Sequence, residues 1–145
     1  MEKKRIIHIL HSGNFSGAEN VAINIGLMFR EKYDITFAIL EKGNFKEKLE
    51  ELGLNYILLK NFTFKELGEK VRKFNPDLIH AHDFRASIFS AILFPHNYII
   101  SHLHNNPPWI RRPNIYSLAY LSISFRFIKI IGVSAAIKDE FFANS

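Results

Sequence analysis

The chain has 145 residues, contains no cysteine and carries a formal net charge of +5. This length suits one domain with a hydrophobic core, and the lack of cysteine excludes disulfides and thiolate metal sites. No apolar run approaches the ~18 residues that a membrane-spanning helix requires, and the positive charges form no basic stripe with stacking aromatics. We therefore expect a cytoplasmic protein that has no targeting segment at its start and binds no nucleic acid.

The stretch 11–19, His-Ser-Gly-Asn-Phe-Ser-Gly-Ala-Glu, joins a short apolar strand to a segment with helical apolar spacing. Gly13 and Gly17 allow the backbone to turn sharply and to approach a ligand closely. The amides at the start of the following helix favour an anion such as phosphate. Ser16 and Glu19 also fit a capping box, which satisfies amides without any ligand, and the two interpretations are compatible. The loop matches neither the dinucleotide-binding motif nor the P-loop.

Short apolar segments of strand type alternate with segments of helical spacing along the whole chain. Asn44, Thr63 and Ser134 are placed to cap helices. Gly53 and Asn75-Pro76 are placed to end two of them. This alternation predicts an α/β fold, a Rossmann-like three-layer α/β/α sandwich with a mainly parallel sheet. The predicted strands cover 6–10, 33–40, 55–59, 77–82, 97–104 and 127–133, and helices lie between them.

Two pairs of histidines lie at the carboxyl ends of neighbouring strands of the predicted sheet. His80 and His82 form one pair, and His102 and His104 form the other; members of a pair are two residues apart and share a face. Because parallel strands end at one edge, we expect both pairs near the glycine loop. Three interpretations stay open. The pairs can hold a metal with Asp83, they can be hydrogen-bonded wall groups at the inner positions, or the outer two can contact a substrate hydroxyl or phosphate.

Four segments of the chain, taken in this order, resemble the N-terminal domain of GT-B glycosyltransferases, and specifically the retaining, nucleotide-sugar-dependent glycosyltransferase family 4. The segments are Gly13-Asn-Phe-Ser-Gly-Ala-Glu19, Asp77-Leu-Ile-His-Ala-His-Asp83, Ser101-His-Leu-His104 and Ile130-Ile-Gly-Val-Ser-Ala-Ala-Ile137. The resemblance implies a two-domain enzyme whose N-terminal half binds the acceptor and whose C-terminal half holds the sugar nucleotide. It implies a nucleotide-sugar co-substrate, no other cofactor and no divalent metal.

The resemblance also implies roles for particular residues. It places Gly13 and Gly17 near the donor diphosphate, and His104, as the catalytic residue, near the transferred sugar. The acceptor side would be formed by His82, Asp83 and Asn105. The sequence ends before the Asn-Gly hinge, the Glu-x7-Glu motif and the Arg/Lys pair of the family's second domain. We therefore expect one Rossmann-like domain over 1–145, a donor-binding domain absent from this chain, and negligible sugar transfer by this chain alone.

The remaining expectations concern partners. Trp109-Ile-Arg-Arg112, in an irregular stretch over 105–113, could rest on the inner membrane surface beside a lipid-linked acceptor in cell-envelope polysaccharide synthesis; an ordinary crevice loop explains the same residues. A non-enzymatic Rossmann-like binding module, forming a homodimer through the face where the second domain would dock, is a second class of function. A metal-dependent hydrolase that uses the histidine pairs is a third.

Overall fold

The structure of the chain is a computed structural model that describes residues 1–105 and 107–140; Asn106, in the predicted irregular stretch, and residues 141–145 lie outside the described ranges. Strands and helices alternate throughout. The strands are β1 (Arg5–Ile9), β2 (Asp34–Leu40), β3 (Asn55–Leu59), β4 (Leu78–His82), β5 (Tyr98–Leu103) and β6 (Lys129–Gly132). The helices are α1 (Gly17–Phe29), α2 (Phe45–Glu51), α3 (Phe64–Phe74), α4 (Asp83–Leu93), α5 (Ile115–Ile123) and α6 (Ala135–Glu140).

The six strands form one sheet in the order β3-β2-β1-β4-β5-β6, and every neighbouring pair is parallel. The predicted α/β fold is confirmed. All strands end at the same edge, which we call the carboxyl edge, and the chain changes direction across the sheet between β3 and β4. β1 and β4 are therefore adjacent, and the loops that follow them flank the switch point where ligands bind in open α/β sheets.

The two faces of the sheet are covered differently. On one face, α3, α4 and α5 pack over the strands and contribute Leu67, Phe84 and Tyr120 to the larger core. On the other face, α1 and α2 cover the half formed by β1 and β2, with Phe37 and Phe45 fully buried. A groove of about 620 Å³ runs on this second face between α1 and the outer strands, over the half that α1 and α2 leave uncovered.

Turn and capping residues account for several helix ends. The Thr63 side chain accepts a hydrogen bond from the amide three residues later, as predicted. Gly53 (φ 66°) and Asn75 (φ 56°) adopt the left-handed conformation that stops a helix. The cap predicted for Asn44 is wrong. Its side-chain oxygen instead accepts from the Phe15 amide at 2.8 Å, and so ties the loop after β1 to the loop after β2.

Gly13 is required by the close approach of these same two loops. Its carbonyl accepts from the Phe45 amide at 2.8 Å. A Cβ atom added at Gly13 would lie 2.5 Å from the Leu40 carbonyl oxygen and closer still to that of Lys42. Around Gly17, in contrast, an added Cβ would meet no atom within 4 Å. The two glycines of the loop therefore serve different purposes, packing at the first and open space at the second.

We expect Gly13→Ala to lower the free energy of unfolding by about 2 kcal/mol or more, because the added methyl group meets backbone oxygens that cannot move without displacing a loop. Urea unfolding measures this loss. Gly17→Ala is the matched control and should change stability by less than about 0.5 kcal/mol. Equal losses for the two variants would contradict the packing role of Gly13.

Candidate functional site

Five histidines from three adjacent strands form a cluster on the face of the sheet that carries α1. His8 of β1 lies beside His80 of β4, and His82 of β4 lies beside His102 of β5. His104 follows two residues later on the same face. We call the five residues the imidazole cluster. The first four are at most 6% exposed, whereas His104 is partly exposed at the carboxyl edge.

The imidazoles bond to one another. His82 is central: its Nε2 lies 2.9 Å from Nδ1 of His8, and its Nδ1 lies 2.8 Å from Nε2 of His104. A separate pair joins Nε2 of His80 to Nδ1 of His102 at 3.1 Å. The rings also stack, with centroids 4.5 Å apart for His80 and His82 and 4.2 Å apart for His102 and His104. The predicted wall role of the two inner histidines, hydrogen-bonded to each other, is confirmed.

Burial keeps the imidazole cluster uncharged at neutral pH. Desolvation, with a smaller contribution from the neighbouring histidines, lowers the pKa of His80 to about 2, of His8 to about 3 and of His102 to about 4. The same causes hold the pKa of His82 well below its ordinary value. Desolvation also lowers the pKa of His104, and the Asp83 and Glu19 carboxylates oppose that shift. Neutral imidazoles can exchange hydrogen bonds in the way observed.

Asp83 braces the carboxyl edge between β4 and the segment after β5. It has φ 68°, a left-handed conformation that Asp tolerates better than most residues. Its buried carboxylate accepts from the His104 amide at 2.7 Å, from the Asn105 amide at 3.1 Å and from the Asn105 side chain at 2.8 Å. Asp83 and Asn105 are thus brought together as expected, but the hydrogen bonds of Asp83 join it to Asn105 and leave those groups engaged within the protein.

The start of α1 lies at the same edge. The predicted capping box forms: the buried Glu19 carboxylate accepts from the Ser16 amide at 3.1 Å and from the Ser16 hydroxyl. Within the described ranges, the amides of Gly17 and Ala18 have no acceptor. β1 and β5 are parallel strands of one sheet with only β4 between them, so the loop after β1 and the end of β5 lie at the same edge. The loop and the histidine pairs therefore share the carboxyl edge, as the strand pattern predicts.

The predicted site residues differ in how far a ligand can reach them. Gly17 is exposed and His104 is partly exposed, so both line the open edge. Gly13 is buried in the contact between two loops. His82 is 1% exposed and both of its ring nitrogens are bonded to other histidines, so it can reach a ligand only through His104. His8, which sequence reasoning missed, completes the cluster from β1.

Two groups of three histidines have the spacing to hold a metal ion. They share His82, one with His8 and His80 and the other with His102 and His104, and within each group the ligand atoms lie within 4.8 Å of one another. Two imidazoles on a tetrahedral zinc ion have nitrogens about 3.3 Å apart. The bonded nitrogens of His82 are closer than that to both partners, so a metal would have to displace a shared proton and widen the pair.

The predicted membrane patch has its apolar residues turned inward. Ile110 is fully buried, and the Trp109 ring packs edge-on against Phe84 with centroids 4.7 Å apart. Arg111 and Arg112 remain exposed. Residues 108–111 form a short 3₁₀ turn within the stretch predicted to be irregular. In the described ranges, no helix is both long and apolar enough to cross a membrane.

The chain superposes on one part of several larger solved proteins. HepE from Anabaena, in complex with UDP and glucose, matches with a TM-score of 0.79 and 24% identity over 98% of this chain and 41% of its own. Arabidopsis thaliana UGT89C1, complexed with UDP, matches with a TM-score of 0.65 and 12% identity over 99% of this chain and 47% of its own. A putative UDP-N-acetylglucosamine 2-epimerase from Listeria monocytogenes matches with a TM-score of 0.61 and 16% identity over 99% and 42%.

These matches identify the fold. This chain has the parallel, Rossmann-like α/β fold of a GT-B half-domain. The chain spans less than half of the length of each of these proteins. No protein-family model and no curated protein matches its sequence.

The neutral state of the imidazole cluster predicts that acid destabilises the fold. His8, His80 and His82 have folded pKa values below the ordinary 6.5, so the unfolded chain binds protons first as the pH falls below 6.5. The free energy of unfolding is at its full value above pH 6.5. Below that pH, each of these groups lowers it by about 1.4 kcal/mol per pH unit. Because the pKa of His102 is lowered as well, urea unfolding should show a loss of at least about 4 kcal/mol at pH 5.5 relative to pH 7.5.

The variant His8→Asn is the control for this pH dependence. It removes one titrating group and keeps an amide at the position of Nδ1, so the loss between the two pH values should shrink by about 1.4 kcal/mol. A wild-type stability that is the same at both pH values would contradict the burial of neutral imidazoles.

Proposed function

We propose that this chain is the acceptor-side half of a retaining, nucleotide-sugar-dependent glycosyltransferase of family 4, which transfers a sugar to a glycan or lipid-linked acceptor in cell-envelope polysaccharide synthesis in the cytoplasm. One observation carries the proposal: amides at the start of α1 that have no acceptor within the described ranges share the carboxyl edge of a GT-B half-domain with a partly exposed His104. The motif resemblance and the UDP bound by HepE and UGT89C1 support the same substrate class.

The amides of Gly17 and Ala18 would stabilise the leaving diphosphate. Charge develops on this group as the bond to the sugar breaks, and backbone donors that are already oriented act without reorganisation. The helix start adds its positive dipole end. Gly17 leaves room for the diphosphate where a side chain would otherwise stand.

His104 would contact the transferred sugar. Its Nε2 is bonded to His82, and its Nδ1 has no partner among the described residues, so one nitrogen is available to a ligand. Asp83 holds its backbone amide in place. Asp83 and Asn105 together shape the acceptor side. The buried imidazoles behind His104 exclude water from that side of the site.

Because the second domain of such an enzyme forms the donor side, we propose that residues 1–145 taken alone transfer negligible sugar. DNA sequence downstream of the Ser145 codon that encodes a Glu-x7-Glu motif would support this two-domain organisation. The alternative is a binding module that forms a homodimer through the carboxyl edge. A monomeric mass in solution would speak against that alternative.

Pyrophosphate is a probe for the proposed diphosphate site. In a ¹H–¹⁵N NMR titration, we expect the amide signals of Gly17 and Ala18 to shift most, because these amides are the proposed donors. Gly17→Val should weaken binding at least about tenfold, since its side chain would occupy the space above the amides. Asn24→Val, at an exposed position further along the same helix, should bind like the wild type. Equal binding by all three proteins, or shifts at another edge, would contradict the site.

We also propose that the membrane contact involves α5. The loop before α5 turns Trp109 inward, whereas Ile115, Leu118 and Phe125 are 76%, 51% and 81% exposed on and just after the helix. Exposed Arg112 precedes them, and together these side chains have the composition of an interfacial anchor for anionic lipid.

Sedimentation with lipid vesicles tests this contact. We expect the chain to bind vesicles that contain anionic lipid more strongly than neutral ones. The double variant Ile115→Glu/Phe125→Glu should lose binding, because it removes apolar area and adds like charge. Met28→Glu, at a 72% exposed position on α1, is the matched control and should bind normally. Equal binding of the wild type to anionic and neutral vesicles, or normal binding by the double variant, would contradict the proposal.

A further inference from the structure

One buried ring nitrogen of the imidazole cluster determines where the proton of His8 lies. Nε2 of His8 is buried and has no hydrogen-bond partner among the residues that the structure describes. If this nitrogen carried the proton, a buried N–H group would be left unpaired, a state that folded proteins rarely contain. A bare lone pair is tolerated more often. The proton of His8 therefore belongs on Nδ1, the nitrogen that faces His82 at 2.9 Å.

The position of the His8 proton determines the positions of the protons on His82 and His104. A neutral imidazole has one donor and one acceptor nitrogen. When Nδ1 of His8 donates to Nε2 of His82, the proton of His82 must lie on Nδ1, where it donates to Nε2 of His104 at 2.8 Å. The proton of His104 must then lie on Nδ1. The three rings form a hydrogen-bonded chain with one direction, from the buried end at β1 to the carboxyl edge.

We propose that His8 and His82 are positioning residues that hold His104 in its Nδ1–H tautomer, so that His104 offers the sugar nucleotide a hydrogen-bond donor and not a base. This inference rests on the proposed function for the identity of the ligand. An N–H at this place matches an oxygen of the transferred sugar or of a phosphate. Reversal of the chain would require an unpaired N–H at the buried end, so the direction is built into the fold.

The other two histidines of the cluster provide an internal comparison. His102 stacks on His104 with centroids 4.2 Å apart. The Nδ1 atom of His102 bonds to His80, so His102 is not part of the hydrogen-bonded row of His8, His82 and His104. Replacement of His102 therefore changes the packing around His104 and leaves the hydrogen bond between His82 and His104 intact. Replacement of His82 removes the hydrogen bond. Phenylalanine preserves an aromatic ring in both cases, so the two variants separate packing from tautomer control.

Ring ¹⁵N NMR of histidine-labelled protein at pH 7.5 measures the tautomers directly, because protonated and bare ring nitrogens resonate far apart. We expect protonated Nδ1 and bare Nε2 for His8, His82 and His104, with N–H···N scalar couplings that join the first to the second and the second to the third. His82→Phe should return His104 to a mixture of tautomers. His102→Phe should leave His104 with protonated Nδ1.

A wild-type His104 protonated on Nε2 would overturn the inference, even if neither variant folds. A fixed Nδ1–H tautomer that survives His82→Phe, or an equal loss in both variants, would also overturn it. The measurement needs no sugar or nucleotide. Failure of pyrophosphate to bind at Gly17 would therefore remove the proposed function and leave the tautomer result standing, and the reverse outcome is equally distinguishable.

Discussion

The burial of neutral imidazoles on one face of the sheet is the constraint on which the rest of this structure depends. A buried ring N–H group needs an acceptor, and both ring nitrogens of His82 are bonded to other histidines. Each hydrogen bond joins side chains of different strands, so the bonds fix how far the ends of β1, β4 and β5 can separate. The geometry of the carboxyl edge is therefore set from inside the protein.

The residues at the edge extend this constraint to the surface. Asp83 begins α4 in a left-handed conformation and binds the backbone on both sides of the His104 carbonyl. Glu19 closes the first turn of α1 and leaves two amides unpaired. A rigid arrangement of donors suits a reaction in which negative charge appears on a leaving group, because donors that are already oriented lose little energy when the charge develops.

Local patterns in the sequence were enough to predict the fold, because strand and helix periodicities and turn residues act over a few positions. The capping box at Ser16 was predictable for the same reason, and so was a hydrogen-bonded wall role for the inner histidines, although the sequence did not show that they bond to each other. His8 was not, because its place beside His80 follows from strand order across the sheet. The packing of Gly13 and the hydrogen bond from Asn44 to the neighbouring loop also depend on contacts between distant segments.

The start of α1 and the end of β5 lie at one edge of the sheet, where β1 and β5 are two strand spacings, about 10 Å, apart. Since the chain has no cysteine, a spin label on Gly17→Cys reports on one position only. The account predicts strong broadening of the His104 ring signals and little effect on His96, which precedes β5 at the opposite edge. An unbroadened His104, or broadening that is equal at His96, would contradict it.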